Sequence, residues 1–206
     1  MLYFDFFTSS VYNIIRRDTM QVKVGVSNRH VHLSKDDFNV LFGCGMDLPC
    51  DFMLGQPGEF ASSCKVVIKG PKGEIANVRV MGPFRSYTQV EVCRTDCFTL
   101  GITAPIRDSG DILNSSPITI VGPKGFVAKK YGCIIARRHI HLNEADRVLF
   151  GVAKKIVRIK VSNAKGGILD NVYLKYGPNF KLECHLDTDD ANGNLLASGD
   201  FVTIVD

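Results

Sequence analysis

"SNRHVHLS" (Ser27–Ser34) and "ARRHIHLN" (Ala136–Asn143) decide how this chain is read. Between them they hold four of the five histidines, as two His-x-His pairs, each behind an arginine and ahead of a leucine. The two stretches start 136 − 27 = 109 residues apart. Their surroundings match as well: "VSNRHVHLSKDDFNVLFG" (Val26–Gly43) runs alongside "IARRHIHLNEADRVLFG" (Ile135–Gly151). Alternating apolar residues precede each pair, Val22, Val24 and Val26 in one copy and Cys133 and Ile135 in the other, which is the period of a strand. A helix start follows each pair, Ser34 with Asp37 three residues on and Asn143 with Asp146 three on, the pattern of a capped first turn. Both helix patterns end on Leu-Phe-Gly, with the glycine suited to a left-handed C-cap.

The repeat continues downstream. "KGPKGEIANVRVMGP" (Lys69–Pro83) corresponds to "SNAKGGILDNVYLKYGP" (Ser162–Pro178), a glycine-containing turn and then a β run ending in Gly-Pro. Beyond it "TQVEVCRTD" in the first copy faces "FKLECHLDTD" in the second. Glu91 lies 91 − 83 = 8 residues past Pro83, and His185 lies 185 − 178 = 7 past Pro178. The chain is therefore predicted to be mainly β: two small β-barrels or sandwiches related by internal duplication, capped by short α-helices. The "GPKG" stretches at Gly70 and Gly122 lie between β runs and lack the phosphate-loop pattern, so tight turns account for them. "RDSGD" (Arg107–Asp111) is read as a turn too.

On a strand, residues i and i+2 share a face with Cα atoms roughly 6.5–7 Å apart, so two imidazoles at that spacing can converge on one ion. His30 and His32 with Glu91 give one candidate ligand set, and His139, His141 and His185 give another. Three protein ligands with an open fourth position is the pattern of a catalytic zinc rather than a structural one. A single His-x-His is often no more than a polar strand end. Duplication, with a carboxylate and the fifth histidine at matching stations, favours metal. Zinc is the first choice, although iron, cobalt and nickel accept the same donors. Arg85, just past Gly82-Pro83, and Arg94, just past Glu91, are candidates to present guanidinium forks to an anion beside the metal.

The remaining composition excludes more than it assigns. Apolar content of 45% and charged content of 22% are those of a globular chain, and 206 residues make one large domain or two small ones. A net charge of +4 without a long basic cluster suits a small anionic ligand and gives no ground for nucleic acid. No apolar run approaches the roughly 18 residues of a membrane helix. Seven scattered cysteines without a C-x-x-C point to a reducing compartment and buried thiols, not to a disulfide framework. Residues 1–20 differ from the rest: Leu2, Phe6, Phe7, Val11, Ile14 and Ile15 fall on one side of a helix, an amphipathic extension ahead of residues 21–206 that suits docking on its own domain first, or on a membrane surface or a partner protein.

"GVSNRHVHLSKDD", "GQPGEFA", "IKGPKGEIANVRVMGPFRSYTQVEVCRTD", "TLGITAPIRDSGD", "ARRHIHLN" and "DTDDAN" together resemble the PduL-type phosphate acyltransferases of bacterial microcompartments, over about residues 21–195. The resemblance implies an enzyme that interconverts acyl-CoA plus phosphate with acyl phosphate plus CoA, the acyl group being propanoyl or acetyl, on two zinc ions per chain. It implies interleaved barrels, roughly 29–136 and 21–28 with 137–206, the first strand being exchanged into the second barrel; contiguous copies are what the repeat alone gives. By motif, the metal residues become His30, His32, Glu91, His139, His141 and His185, and the phosphate arginine Arg85. Ser27, Arg79 and Asn192 stand where coenzyme A contacts are expected. Residues 1–17 look like an encapsulation helix that meets microcompartment shell or core proteins, which places the protein in the cytoplasm within such a compartment; a homo-oligomer fits as well. Two rival readings are a dizinc thioester hydrolase, in which the arginines are incidental, and a non-catalytic metal-binding microcompartment protein.

Overall fold

Along β1 (Gln21–Ser27) burial alternates, with Val22 and Val24 inside, and residues Ile156–Val161 repeat the pattern through Val157, Ile159 and Val161. Strands with one apolar face need a second sheet or a closed ring to cover it, and here rings form. The structure, a computed structural model, describes residues 21–150 and 155–205. The expected amphipathic helix of residues 1–20 and the expected cap at Gly151 lie outside the described residues.

The first barrel joins β2 (His30–His32), β4 (Phe60–Lys69), β5 (Glu74–Gly82), β6 (Gln89–Glu91), β8 (Ser116–Val121) and β9 (Phe126–Ala136). Pairing runs β4-β5-β2-β6-β9-β8 and returns to β4. Two short strands, β3 (Cys50–Met53) and β7 (Ile106–Arg107), attach to β4 and β9. The second barrel closes as β1-β13-β10-β12-β11-β14, with β10 (His139–Leu142), β11 (Ile156–Val161), β12 (Gly167–Tyr176), β13 (Glu183–Asp187) and β14 (Phe201–Ile204). Place for place, β2 answers to β10, β5 to β12, β6 to β13, β4 to β11, β8 to β14 and β9 to β1.

That last pair carries the topology. The strand leading into each His-x-His belongs to the other barrel: β1 pairs with β14, while β2, which follows it, pairs with β5 and β6. One unit accordingly holds residues 27–137 with 187–189, and the other holds the N-terminal strand with residues 138–186 and 190 onward. The copies are therefore not contiguous, and the exchange implied by the family resemblance is the observed arrangement. Each barrel has its own apolar centre. Val31, Leu33, Phe38, Leu41, Ile68, Val80, Val90 and Leu100 are fully buried in the first, and Val22, Ile140, Leu142, Ile159, Val172 and Cys184 in the second. Each such large side chain contributes about 1.5–3 kcal/mol of burial.

Four short helices complete the described residues: α1 (Lys35–Phe42), α2 (Arg94–Leu100), α3 (Glu144–Phe150) and α4 (Thr188–Gly193). The two caps expected after the histidine pairs both form. Ser34 Oγ accepts from the Asp37 amide at 3.2 Å, and Asn143 and Asp146 exchange side-chain-to-amide bonds at 3.0 and 3.1 Å. The left-handed cap expected at Gly43 does not form. Its φ is +102° but its ψ is 154°, so the chain leaves α1 extended once the Gly43 amide has bonded to Asn39 O at 2.9 Å. The "GPKG" turns do more than reverse the chain. Lys72 N donates to Leu100 O, the end of α2, and Lys124 N donates to Leu41 O in the last turn of α1, at 3.1 and 2.9 Å. A Cβ at Gly70 would stand 2.2 Å from Leu100 O, and one at Gly122 2.4 Å from Leu41 O, which is why glycine holds both places.

Candidate metal centres

Register brings the ligand residues together. In the first barrel His30 stands opposite Glu91 and His32 opposite Gln89 across the β2–β6 ladder. In the second His139 stands opposite His185 and His141 opposite Glu183 across β10–β13. Opposite residues share a face, as do residues two apart, so each set of four lines one side of its sheet. The intervening Val31 and Ile140 point into the cores and are fully buried. His30, His32 and Glu91 offer ligand atoms all within 4.8 Å of one another, and so do His139, His141 and His185. The six residues singled out in the sequence thus gather as two groups of three, one in each barrel.

Donor chemistry in both groups fits a metal ion. His30 Nδ1 lies 2.8 Å from the Asn28 carbonyl oxygen, an acceptor only, so Nδ1 is the donor there and Nε2 is the ring nitrogen turned towards Glu91 Oε2, 3.5 Å away. His32 Nδ1, His141 Nδ1 and His185 Nε2 are buried without a hydrogen-bond partner, a cost that a bound cation removes. Glu183 Oε2 lies 2.9 Å from His185 Nε2 but off the direction a hydrogen bond requires. Burial, with the neighbouring His30 adding to it, lowers the pKa of His32 to about 3. Burial and the neighbouring His185 likewise take His141 down to about 3. Both imidazoles are therefore neutral over the physiological range, the state in which imidazole binds metal.

The arginine and leucine flanking each pair also find their purpose. Arg29 Nε donates to Asp96 Oδ1 at 2.7 Å, and Asp96 also accepts from the Cys93 amide at 3.1 Å. Arg138 grips Asp190 through two bonds of 2.6 and 2.7 Å. In each copy the residue before the first histidine is thereby pinned to the helix that follows the third ligand. Leu33 and Leu142 anchor the other end of each pair in the core, both fully buried.

Arg85 stands beside the first triad. Its amide donates to Leu33 O at 2.9 Å, one residue past His32, and its positive charge helps hold the His32 imidazole neutral. Its guanidinium Nη2 bonds to Glu59 at 2.5 Å, and its Nε is buried without a partner. The matching position two residues past Pro178 holds Phe180, stacked on His141 at 4.3 Å between ring centroids. Only the first copy therefore has a cation at that station. Arg94 turns elsewhere: it is exposed on α2, its guanidinium 4.9 Å from the centre of the Phe98 ring. Arg79 bonds to Asp51 and to the Ser62 carbonyl, both at 2.8 Å, and lies over Phe52. Ser27 is half-buried at the end of β1, and Asn192 is exposed in α4. Cysteine takes no part in either group. All seven thiols are free, and burial pushes Cys93 up to about 11 and Cys184 up to about 12.

Gln89 is a buried polar residue that the sequence did not single out. Gln89, fully buried, donates to Glu91 Oε1 at 2.7 Å. Two features of the sequence mark it in retrospect: it lies two residues before Glu91, and a "SGD" turn is available to anchor it.

Comparison with known proteins adds an independent line. Residues 23–197 match the family model described as phosphate propanoyltransferase. A phosphate propanoyltransferase of Thermotoga maritima is 48% identical over 198 residues, covering 95% of this chain and 94% of that protein. One from Priestia megaterium is 50% identical across 87% of this chain and 83% of its own length, and one from Rhodopseudomonas palustris is 42% identical across 91% and 83%.

Proposed function

The chain belongs to the phosphate propanoyltransferase family and is a phosphate acyltransferase; on that premise we propose that it exchanges the CoA of a short-chain acyl-CoA, propanoyl or acetyl, for phosphate at two zinc ions, one in each triad. The observation that carries this reading is the pair of three-residue ligand groups, five imidazoles and one carboxylate, with buried ring nitrogens that lack protein partners. When bound, zinc would supply a Lewis acid and a soft acceptor able to stabilise a departing thiolate at neutral pH. His30, His32 and Glu91 would hold one ion and His139, His141 and His185 the other.

Everything else in the reaction falls to the chain's own groups. Arg85 binds phosphate: its buried, unpartnered Nε is a free donor in a guanidinium whose fork matches a phosphate edge. Held there, a phosphate oxygen attacks the thioester carbonyl, a new C–O bond forms and the C–S bond breaks. CoA leaves with the electron pair of that bond, and the proton surrendered by phosphate is available to it. Phe180, an apolar wall against His141, suits a station that receives sulfur and excludes water, whereas Arg85 suits one that receives an anion. This difference between the copies favours acyl transfer to phosphate over hydrolysis, because water needs no arginine. Ser27, Arg79 and Asn192 are assigned to coenzyme A on the resemblance alone, and Arg94 to the anion on its place beside Glu91 in sequence. Residues 1–17 are assigned to encapsulation in a cytoplasmic microcompartment on the resemblance alone.

The test measures CoA release from acetyl- and propanoyl-CoA with and without phosphate, in the zinc-loaded protein and in Arg85→Lys. Release should depend on phosphate, and losing the fork should raise the KM for phosphate roughly 10- to 100-fold, the worth of one charge-assisted hydrogen bond. Release at equal rates without phosphate would establish the hydrolase instead.

A further inference from the structure

Gln89 is fully buried in the first barrel, and each of its polar atoms has a partner. The Gly110 amide donates to Gln89 Oε1 at 2.7 Å, which fixes the amide so that Nε2 faces the other way. That Nε2 donates to Glu91 Oε1 at 2.7 Å and to Ser109 Oγ at 2.9 Å. Gln89 thus holds Glu91 by Oε1, and Oε2 faces His30 Nε2. The turn behind Gln89 is itself closed by a bond from Asp111 N to Asp108 O of 3.0 Å, and Gly110 takes a φ of +97° there. A chain of contacts therefore runs from residues 108–111 through one amide side chain to a carboxylate that lines the metal group.

We propose that Gln89 is a positioning residue for the first metal centre: it holds Glu91 by Oε1 and so orients Oε2 towards His30 and the ion, and the Ser109–Gly110 turn acts through it. The inference rests on the reading that each triad binds zinc. A neutral donor is the chemistry an anionic ligand calls for, since it orders the carboxylate without adding charge beside the cation. The second copy supports the logic. There the third ligand is an imidazole, His185, and the residue at the register place of Gln89 is Glu183, a carboxylate. The neutral amide donor thus stands in the copy whose third ligand is an anion.

The experiment loads the full chain with zinc or cobalt(II) and measures affinity at each equivalent by competition with a chelator, with the cobalt visible spectrum as a second readout. Wild type should bind two equivalents. Gln89→Met keeps the volume and removes the donor, and should weaken one equivalent about 10- to 100-fold while leaving the other at its wild-type affinity. The cobalt bands of that one equivalent should shift. Ser109→Ala, a milder change outside the ligand set, should weaken the same equivalent by a smaller factor, and it decides the matter if Gln89→Met fails to fold. Two equivalents of wild-type affinity with unchanged spectra in the folded variants would overturn the positioning role and leave the zinc reading standing. Fewer than two equivalents in wild type would overturn the zinc reading, and this inference with it.

Discussion

Removing the Arg29 side chain isolates the device that holds a histidine pair to its helix. Asp96 has 4% of its side chain exposed, and its Oδ1 accepts from Arg29 at 2.7 Å. Withdrawing one partner from a buried pair costs about 3–5 kcal/mol, because the other charge is stranded. Two features reduce that figure: the Arg29 side chain is 34% exposed, and Asp96 keeps the Cys93 amide at 3.1 Å. Arg29→Ala should therefore cost about 2 kcal/mol. For a chain of this length each kcal/mol moves the midpoint by roughly 2–4 °C, so a drop of about 4–8 °C is expected. Thermal melting of the metal-free proteins, read by circular dichroism, measures it. Arg29→Ala, Asp96→Ala and the double variant form a cycle, and the double should lose at least about 1 kcal/mol less than the sum of the singles. A midpoint within 1 °C of wild type, or simple additivity, would refute the idea that this pair ties β2 to α2.

Other perturbations test other parts. Exhaustive chelation should abolish phosphate-dependent CoA release and lower the melting midpoint, and two equivalents of zinc should restore both; activity surviving in a sample shown metal-free by mass spectrometry would refute it. The metal-free chain should lose stability as pH falls from about 6.5 towards 3. His32 and His141 have pKa values near 3 when folded, so across that window the unfolded chain binds the extra protons; acid melts that stay flat would contradict this. Gly70→Ala forces a Cβ to within 2.2 Å of Leu100 O and should cost about 1–3 kcal/mol in denaturant titrations, whereas Gly193→Ala, with nothing within 4 Å and no positive φ, should cost less.

The candidate centres were legible because histidine is scarce in this chain and the i, i+2 rule assigns a face without knowledge of the fold. Glu91 and His185 could be added because a repeat fixes stations by counting. Chain exchange could not be read this way. Val22, Val24 and Val26 alternate in the same manner whichever barrel covers them, so periodicity identifies a strand but not its neighbours. Arg94 follows Glu91 by three residues and opens α2 with its guanidinium over Phe98, so its assignment to the anion rests on sequence position alone. Gln89 was missed because glutamine in a strand carries no signal of its own; only the backbone of Gly110 and the carboxylate of Glu91 give it meaning. The Gly43 cap failed because a positive φ specifies glycine without specifying the direction in which the chain departs.

Because β1 closes a barrel whose other strands all lie beyond Arg138, order of synthesis matters. Residues 27–137 are nearly contiguous and can shut their ring as soon as they leave the ribosome. The segment made just before them must wait, its edge uncovered, until β14 emerges at the far end of the chain. Splitting the coding sequence between the two copies would thus yield one fragment close to self-sufficient and another lacking a stave. Trimming the N-terminus past Gln21 would remove a wall of the later barrel rather than a tail.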